Sequence, residues 1–320
     1  MSQDAQDAQD AQDAQDAQDA QVSKVSKVSK VGNVAALYRY PVKGFTPQPC
    51  KSLTVQPDGR IAGDRVLAVR FADSATPEEK DGLDYWPKAK GLCLQDFPTL
   101  ARLRVDFDGR TLSFRDRTDN DAVLVSAGLD QEGRREICDA LADWILAGPD
   151  AKRLRRTGRL PLELVGDGES ARFQDRPRGF VSLHSEESVR ELEQANGAAH
   201  GAANGEVPLD DRRFRSNVVI DGVPAWTELD WAADNTDLTV GEVRFTAQKT
   251  IVRCMAVTAN PDTGVRDANL LKVLTKEVGQ TEPTLGVLLL PTDATGSGEV
   301  GSNSGTGGVL RVGDAVSVLS

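Results

Sequence analysis

Histidine is nearly absent from this chain of 320 residues: His184 and His200 are the only two. A Ser-His-Asp triad or a histidine-rich zinc site is therefore poorly supplied. The four cysteines, Cys50, Cys93, Cys138 and Cys254, stand far apart. With no C-x-x-C pair they form neither a zinc motif nor a four-cysteine iron–sulfur pattern, and their sparse use fits a reducing, cytoplasmic setting. A basic excess is missing too. Lys and Arg number 38 against 49 Asp and Glu, a net charge of −11. That argues against nucleic acid or anionic membrane as a partner, since both need a broad positive face. No apolar run reaches membrane-spanning length, so no membrane span is expected. The N-terminus has no basic-then-apolar signal and is too acidic for a mitochondrial transit peptide.

What is present suits a globular body. Hydrophobic residues make up 39% and charged residues 27%, and the length allows two domains. Residues 1–32 are tandem Asp-Ala-Gln and then Val-Ser-Lys tripeptides. A period of three matches neither helix nor strand, so this stretch reads as a disordered tail. From residue 33 short apolar runs recur with turn residues between them, Asp108-Gly109 among the clearest hairpin signals. They predict a sheet or barrel over 33–155, with one amphipathic helix on Ile137, Leu141, Trp144 and Ile145 packed against it. A basic, Gly/Pro-containing connection near 147–160 leads to a second domain over 156–320. There Ser185 is placed to cap a helix, Asp267 to cap another, and residues 309–319 to close as a hairpin-like pair. The Gly/Ser/Thr-rich stretch 292–308 reads as an exposed insertion. The fold class expected is α+β, predominantly β.

One stretch carries the chemistry: Ile251-Val-Arg253-Cys254, followed by Asn260-Pro-Asp-Thr-Gly264. The apolar run ends in an Arg-Cys pair, and the turn residues that follow break the chain sharply. A cation beside a thiol favours thiolate, the nucleophilic and metal-binding form; the other reading is a buried cysteine serving as a small hydrophobe.

Around that stretch the residues resemble the MOSC family. Tyr40-Pro41-Val42-Lys43 and Gly63-Asp64-Arg65 resemble its N-terminal β-barrel domain. Ser185-Glu-Glu-Ser-Val, Phe214-Arg-Ser-Asn217, Ala225-Trp-Thr-Glu228, Arg253-Cys254, Asn260-Pro-Asp-Thr-Gly264 and Val312-Gly-Asp314 resemble the MOSC domain proper. The order of these motifs is similar to the branch that holds the mitochondrial amidoxime-reducing component and the bacterial YcbX-like proteins. The resemblance implies a molybdenum cofactor (Mo-molybdopterin), with Cys254 as thiolate ligand to the metal. Lys43, Arg65, Ser185, Arg215, Asn217 and Arg253 would hold its phosphate and pterin. Taken singly, each of these cations reads equally as a surface salt bridge; four gathered from distant parts of an acidic chain need an anion between them.

Two positions depart from the pattern: Gly44 stands where relatives carry Ser, and Ile251 where some carry a second cysteine. No ferredoxin-like cysteine cluster is present, so electrons would come from a separate electron-transfer protein. The activity implied is reduction of small N-hydroxylated or N-oxide compounds, with Asp262 a nearby candidate acid as well as a turn-former. The alternatives are a sulfur carrier or sulfurtransferase working through a Cys254 persulfide, and a non-catalytic cofactor-binding protein.

Overall fold

Val243, Phe245 and Ala247 alternate with half-exposed neighbours along one strand, and Leu285, Val287 and Leu289 do the same on the next. That period of two turns one face of each strand into a shared interior. In the computed structural model, which describes residues 28–80, 82–176, 178–199, 209–293 and 305–319, these strands belong to a closed barrel. The fold is α+β and predominantly β.

In chain order the first strands are β1 (Val28–Arg39), β2 (Gln48–Cys50), β3 (Ser52–Val55), β4 (Ala68–Phe71), β5 (Glu78–Lys80) and β6 (Leu83–Tyr85). Then come β7 (Leu103–Phe107), β8 (Thr111–Asp116), β9 (Ala122–Gly128) and helices α1 (Gln131–Ala147) and α2 (Ala151–Leu154). The remainder holds β10 (Leu162–Val165), β11 (Val181–Ser185), α3 (Glu186–Ala199), β12 (Val218–Asp221), α4 (Thr227–Asp234), β13 (Asp237–Val240) and β14 (Val243–Val252). It ends with α5 (Leu270–Lys276), β15 (Thr284–Pro291), β16 (Gly308–Arg311) and β17 (Ala315–Leu319).

Seven of these strands close the barrel, in the order β12, β11, β15, β14, β13, β17, β1, with β1 returning to β12. The β11–β12 pair is parallel, through Leu183 opposite Val218; the others are antiparallel. A bulge in β1 between Val34 and Ala36 lets Val34 and Leu37 both face the interior despite their odd spacing. The remaining N-terminal residues build smaller sheets: β7, β8 and β9 in series, covered by the Ile137, Leu141 and Ile145 face of α1. Asp130 caps α1 by accepting from the Gly133 amide at 2.8 Å. Trp144, expected in that core, lies at its edge, donating to Asp116 at 3.0 Å with Arg102 over its ring.

Several expectations are corrected. Residues 28–32, taken as tail, are strand: Val28 pairs with Leu319 and Gly32 with Val316. The rest of the tail lies outside the described residues. The pairings also cross the expected boundary at 155/156, since β1 belongs to the barrel, β3 pairs with β16 and β10 pairs with β4. Residues 309–319 are not a hairpin: β16 joins β3, while β17 sits between β1 and β13. The insertion is shorter at both described ends, because Thr292 is buried and Gly308 already begins β16; residues 294–304 lie outside the described part. Helix α3 runs on to Ala199, through the start of the expected loop, and α4 was missed. Asp267 does not cap α5, whose N-cap is Asn269; its carboxylate is held by Arg213 at 2.7 Å.

Candidate functional site

Where the end of β14 meets the N-terminal half, the chain leaves a cavity of about 380 Å³, within the size range of small-ligand sites. Its walls come from both halves: Lys43, Arg65, Lys88 and Cys93 from one, Ser182, Arg215, Asn217, Arg253 and Cys254 from the other. Six of the seven residues expected to form a site therefore meet there. Among the described residues, three lysines and six arginines line the cavity with one carboxylate, Asp175, in a chain of net charge −11.

Cys254 follows β14 in extended conformation and begins a 3-10 turn, Met255–Thr258. Its sulfur is half-buried, whereas Cys93 and Cys138 are buried and burial pushes both of their thiols up to about 11. Lys88 lines the same cavity as Cys254. Burial works against that ammonium, but Cys254 and Asp175 outweigh it and raise its pKa above the ordinary lysine value. Lys88 itself is set by Arg70, a buried guanidinium that donates to the Pro87 carbonyl at 2.7 Å.

Arg65 and Arg215 form a clasp. They lie 5.0 and 4.5 Å from the centroid of the same ring, Tyr40. Both adopt positive φ, 52° and 56°, a region that residues with a Cβ enter at a cost and that concentrates at functional sites. The surroundings enforce it. The Arg65 amide donates to the Tyr40 carbonyl at 2.6 Å, and the Arg65 carbonyl accepts from Phe173 at 3.0 Å. One nitrogen of each guanidinium is held, Arg65 by Asp64 and Arg215 by the Phe45 carbonyl. Asp64 is buried and organises the floor, accepting from the Tyr40 amide at 2.7 Å and from Asn217 at 3.2 Å. Burial raises the Tyr40 phenol well above its usual range although both arginines pull the other way.

The other expected residues are more occupied. Lys43 spends its three donors on Phe173, Gln174 and Asp175, at 3.0, 2.9 and 2.7 Å. Burial lowers its pKa, with Asp175 opposing. Asn217 is buried and bonded to Ser182, Tyr38 and Asp64. Arg253 donates to Phe214 at 2.6 Å and to Leu285, leaving its buried Nε without a partner, and burial pushes it down to about 10. Gly286 makes room for it: a Cβ there would stand 2.9 Å from Arg253 Nη2. Gly44 has φ +83°, and a Cβ would stand 2.5 Å from the Leu92 carbonyl oxygen, so the serine of related sequences does not fit this backbone.

Two expectations fail here. Ser185 is fully buried and does not line the cavity. Its hydroxyl caps α3 through the Ser188 amide at 3.1 Å and bonds Glu228 at 3.2 Å; the same Ser-Glu-Glu-Ser signature serves the helix. Asp262 is likewise outside the cavity, held by Arg212 at 3.0 Å, while the Asn260 side chain makes the turn by accepting from the Asp262 and Thr263 amides. Conversely, Lys88, Asp175, Arg176 and Arg178 were not singled out. The only sequence signal for the last three is the run Gln174-Asp175-Arg176-Pro177-Arg178, charge around a proline, which reads as an ordinary exposed loop.

Residues 171–317 match the family model described as the MOSC domain. The chain carries a MOSC domain. A molybdenum cofactor sulfurase from Oryza sativa subsp. japonica is 33% identical over 86 residues, 27% of this chain and 10% of that protein, so the chain spans about a tenth of that relative's length. Among solved structures, the YUAD protein from Bacillus subtilis is 10% identical with a TM-score of 0.38, covering 92% of this chain and 99% of its own; a superposition that loose supports no inference. Every cavity residue from Gln174 onward lies within the MOSC span, and Lys43, Gly44, Arg65, Lys80, Lys88 and Cys93–Gln95 lie before it. No helix among the described residues is long and apolar enough to cross a membrane.

The donor set fits the expected cofactor. A half-exposed sulfur is a soft ligand suited to a thiophilic metal, and the clasp offers planar N–H groups to phosphate oxygens.

Proposed function

We propose that the protein binds a molybdenum–pterin cofactor and reduces small N-hydroxylated or N-oxide compounds. The observation that carries this reading is the convergence of one half-exposed cysteine, Cys254, with a wall of three lysines and six arginines, of which, among the described residues, Lys43, Arg65 and Arg213 meet a carboxylate and the rest do not. An excess of buried positive charge is costly without an anion, and a phosphorylated cofactor supplies one.

In this reading Cys254 is the metal ligand. Arg65 and Arg215 grip the phosphate with the N–H groups that face away from Asp64 and Phe45. Lys43 holds the 173–175 segment and gains an open donor when Asp175, whose side chain is 69% exposed, swings aside. Asn217 and Arg253 are struts that keep the wall in place. Lys88 stands next to the sulfur, where a cation orients a polar N–O group and can deliver a proton to it. The bound molybdenum supplies two-electron chemistry: R–NH–OH takes up two electrons and two protons to give R–NH2 and water. The electrons come from a separate electron-transfer protein.

The test is Cys254→Ala in protein made in a host that synthesises the cofactor. Reduction of benzamidoxime with dithionite as donor is expected in the parent and lost in the variant; undiminished turnover in the variant would sink the assignment. The name of the rice relative, a molybdenum cofactor sulfurase, favours a second reading in which Cys254 carries sulfur as a persulfide. A mass increase of one sulfur on Cys254 in a protein with no reductase activity would select it.

A further inference from the structure

Many arginines of this chain meet a carboxylate. Arg102 pairs with Asp116, Arg104 with Asp106 and Asp121, Arg172 with Asp167, Arg190 with Glu186, and Arg212 with Asp210. With acids outnumbering bases 49 to 38, a carboxylate is seldom far away. Arg176 and Arg178, like Arg110, Arg135, Arg155, Arg156 and Arg311, have no such partner among the described residues, but of these seven only Arg176 and Arg178 line the cavity. Both are exposed, both line the cavity, and neither has an ion-pair or hydrogen-bond partner among the described residues.

The residues on either side of them are held. Ahead of them, Lys43 Nζ holds the Phe173 and Gln174 carbonyls and the Arg65 carbonyl accepts from the Phe173 amide. Behind them, Gly179 is pressed so closely on the turn at Asp58 and Arg60 that a Cβ would meet the Asp58 carbonyl oxygen at 2.7 Å. Two guanidiniums without a partner among the described residues thus line one cavity, close together in sequence. They are separate from the Arg65–Arg215 clasp, whose guanidiniums flank Tyr40. One phosphate held in the clasp leaves this second pair without a counter-ion.

We infer that Arg176 and Arg178 form a second anion subsite at the cavity rim, and that it takes a carboxylate or phosphate carried by the substrate. The substrate class is thereby narrowed to N-hydroxylated compounds bearing an anionic group. This substrate assignment rests on the reductase reading above; the subsite itself does not. Guanidinium suits such a group because its planar fork pairs two oxygens at once. An acidic body around a positive rim also steers small anions to the opening, more strongly at low salt.

The experiment compares benzamidoxime with 4-carboxybenzamidoxime on the full-length, cofactor-loaded protein. Calorimetric affinity is measured first, then dithionite-driven turnover. The parent is expected to bind the carboxylated compound about tenfold to a hundredfold more tightly, the range for one or two charge-assisted contacts. In the double variant Arg176→Gln, Arg178→Gln that preference is expected to fall to within about threefold, and Arg176→Lys with Arg178→Lys to restore part of it. Equal affinity in the parent, or a preference that survives the double Gln variant, overturns the subsite. A preference that behaves as expected while neither compound is reduced removes the reductase reading and leaves the subsite standing. If the preference is absent, and the Gln variant instead slows electron delivery from an acidic donor protein but not from dithionite, the arginines dock that protein and the small-anion subsite is wrong.

Discussion

Two polar clusters sit inside this molecule, and they differ in how they are balanced. Around Glu228, everything is matched: the carboxylate accepts from the Ser188 hydroxyl at 2.9 Å and the Ser185 hydroxyl at 3.2 Å, and Ser188 Oγ accepts from the Trp226 amide at 2.8 Å. Glu228, Ser185 and Ser188 are all fully buried. Around Cys254 the groups come from much farther apart in sequence, and among the described residues three lysines and six arginines line an open cavity with one aspartate, Asp64 and Asp267 meeting Arg65 and Arg213 from outside that lining. A closed, balanced network ties elements together; an open one with surplus charge of one sign is built for something from outside. Both clusters contain residues expected to bind the cofactor, and only those of the second line the cavity.

The sharpest way to break the contrast is Glu228→Ala. It would leave two buried hydroxyls and a buried amide short of an acceptor and open a cavity, at a cost of about 3–4 kcal/mol. Denaturant unfolding should show it as a fall in midpoint with unchanged slope. A loss under about 1 kcal/mol would mean the cluster is not the staple described here. Next in size, Arg65→Gly combined with Arg215→Gly should weaken cofactor retention about a hundredfold, roughly 2.7 kcal/mol, while the unfolding midpoint changes little because glycine relieves two left-handed backbones. Equilibrium dialysis of released pterin measures the first quantity, and an unchanged value there would remove the clasp from the account.

A smaller, graded effect belongs to His184. Both of its ring nitrogens are buried without partners, and burial, with Arg253 adding to it, pushes its pKa down to about 3. A histidine depressed in the fold is neutral there and stabilising above its ordinary pKa. Stability should therefore fall as pH drops from about 6.5 toward 3, by about 1.4 kcal/mol per pH unit. His184→Leu should flatten that slope relative to the parent. Parallel slopes in the two proteins across pH 4–6.5 would refute the assignment.

Much of the barrel was legible because its strands announce themselves locally. Alternation in β14, the fully apolar run of β15 and the Asp108-Gly109 turn are all short-range signals. What decides closure is not local. The join of β1 to β12, which closes the barrel, links residues far apart in sequence, as does the separate pairing of β10 with β4, and no turn marks either. That is why residues 309–319 read as a hairpin while each strand found another neighbour. Helix α4 was hidden for a related reason: it is eight residues long and follows Trp226, which holds φ +68° without a side-chain cap. In the site, Lys43, Arg65, Arg215, Asn217, Arg253 and Cys254 came together as the motif order implied. Ser185 did not, because a serine before two glutamates is a helix cap whether or not a ligand lies nearby. Arg176 and Arg178 were missed because an exposed arginine becomes noteworthy only when it is seen to line a cavity.

The most direct test is the molybdenum and pterin content of the full-length protein purified from a host that makes the cofactor, beside the Cys254→Ala variant. The account predicts about one molybdenum and one pterin per chain in the parent, and pterin without retained metal, or neither, in the variant. A parent protein that carries no pterin, or a variant that keeps its full complement of molybdenum, would contradict it.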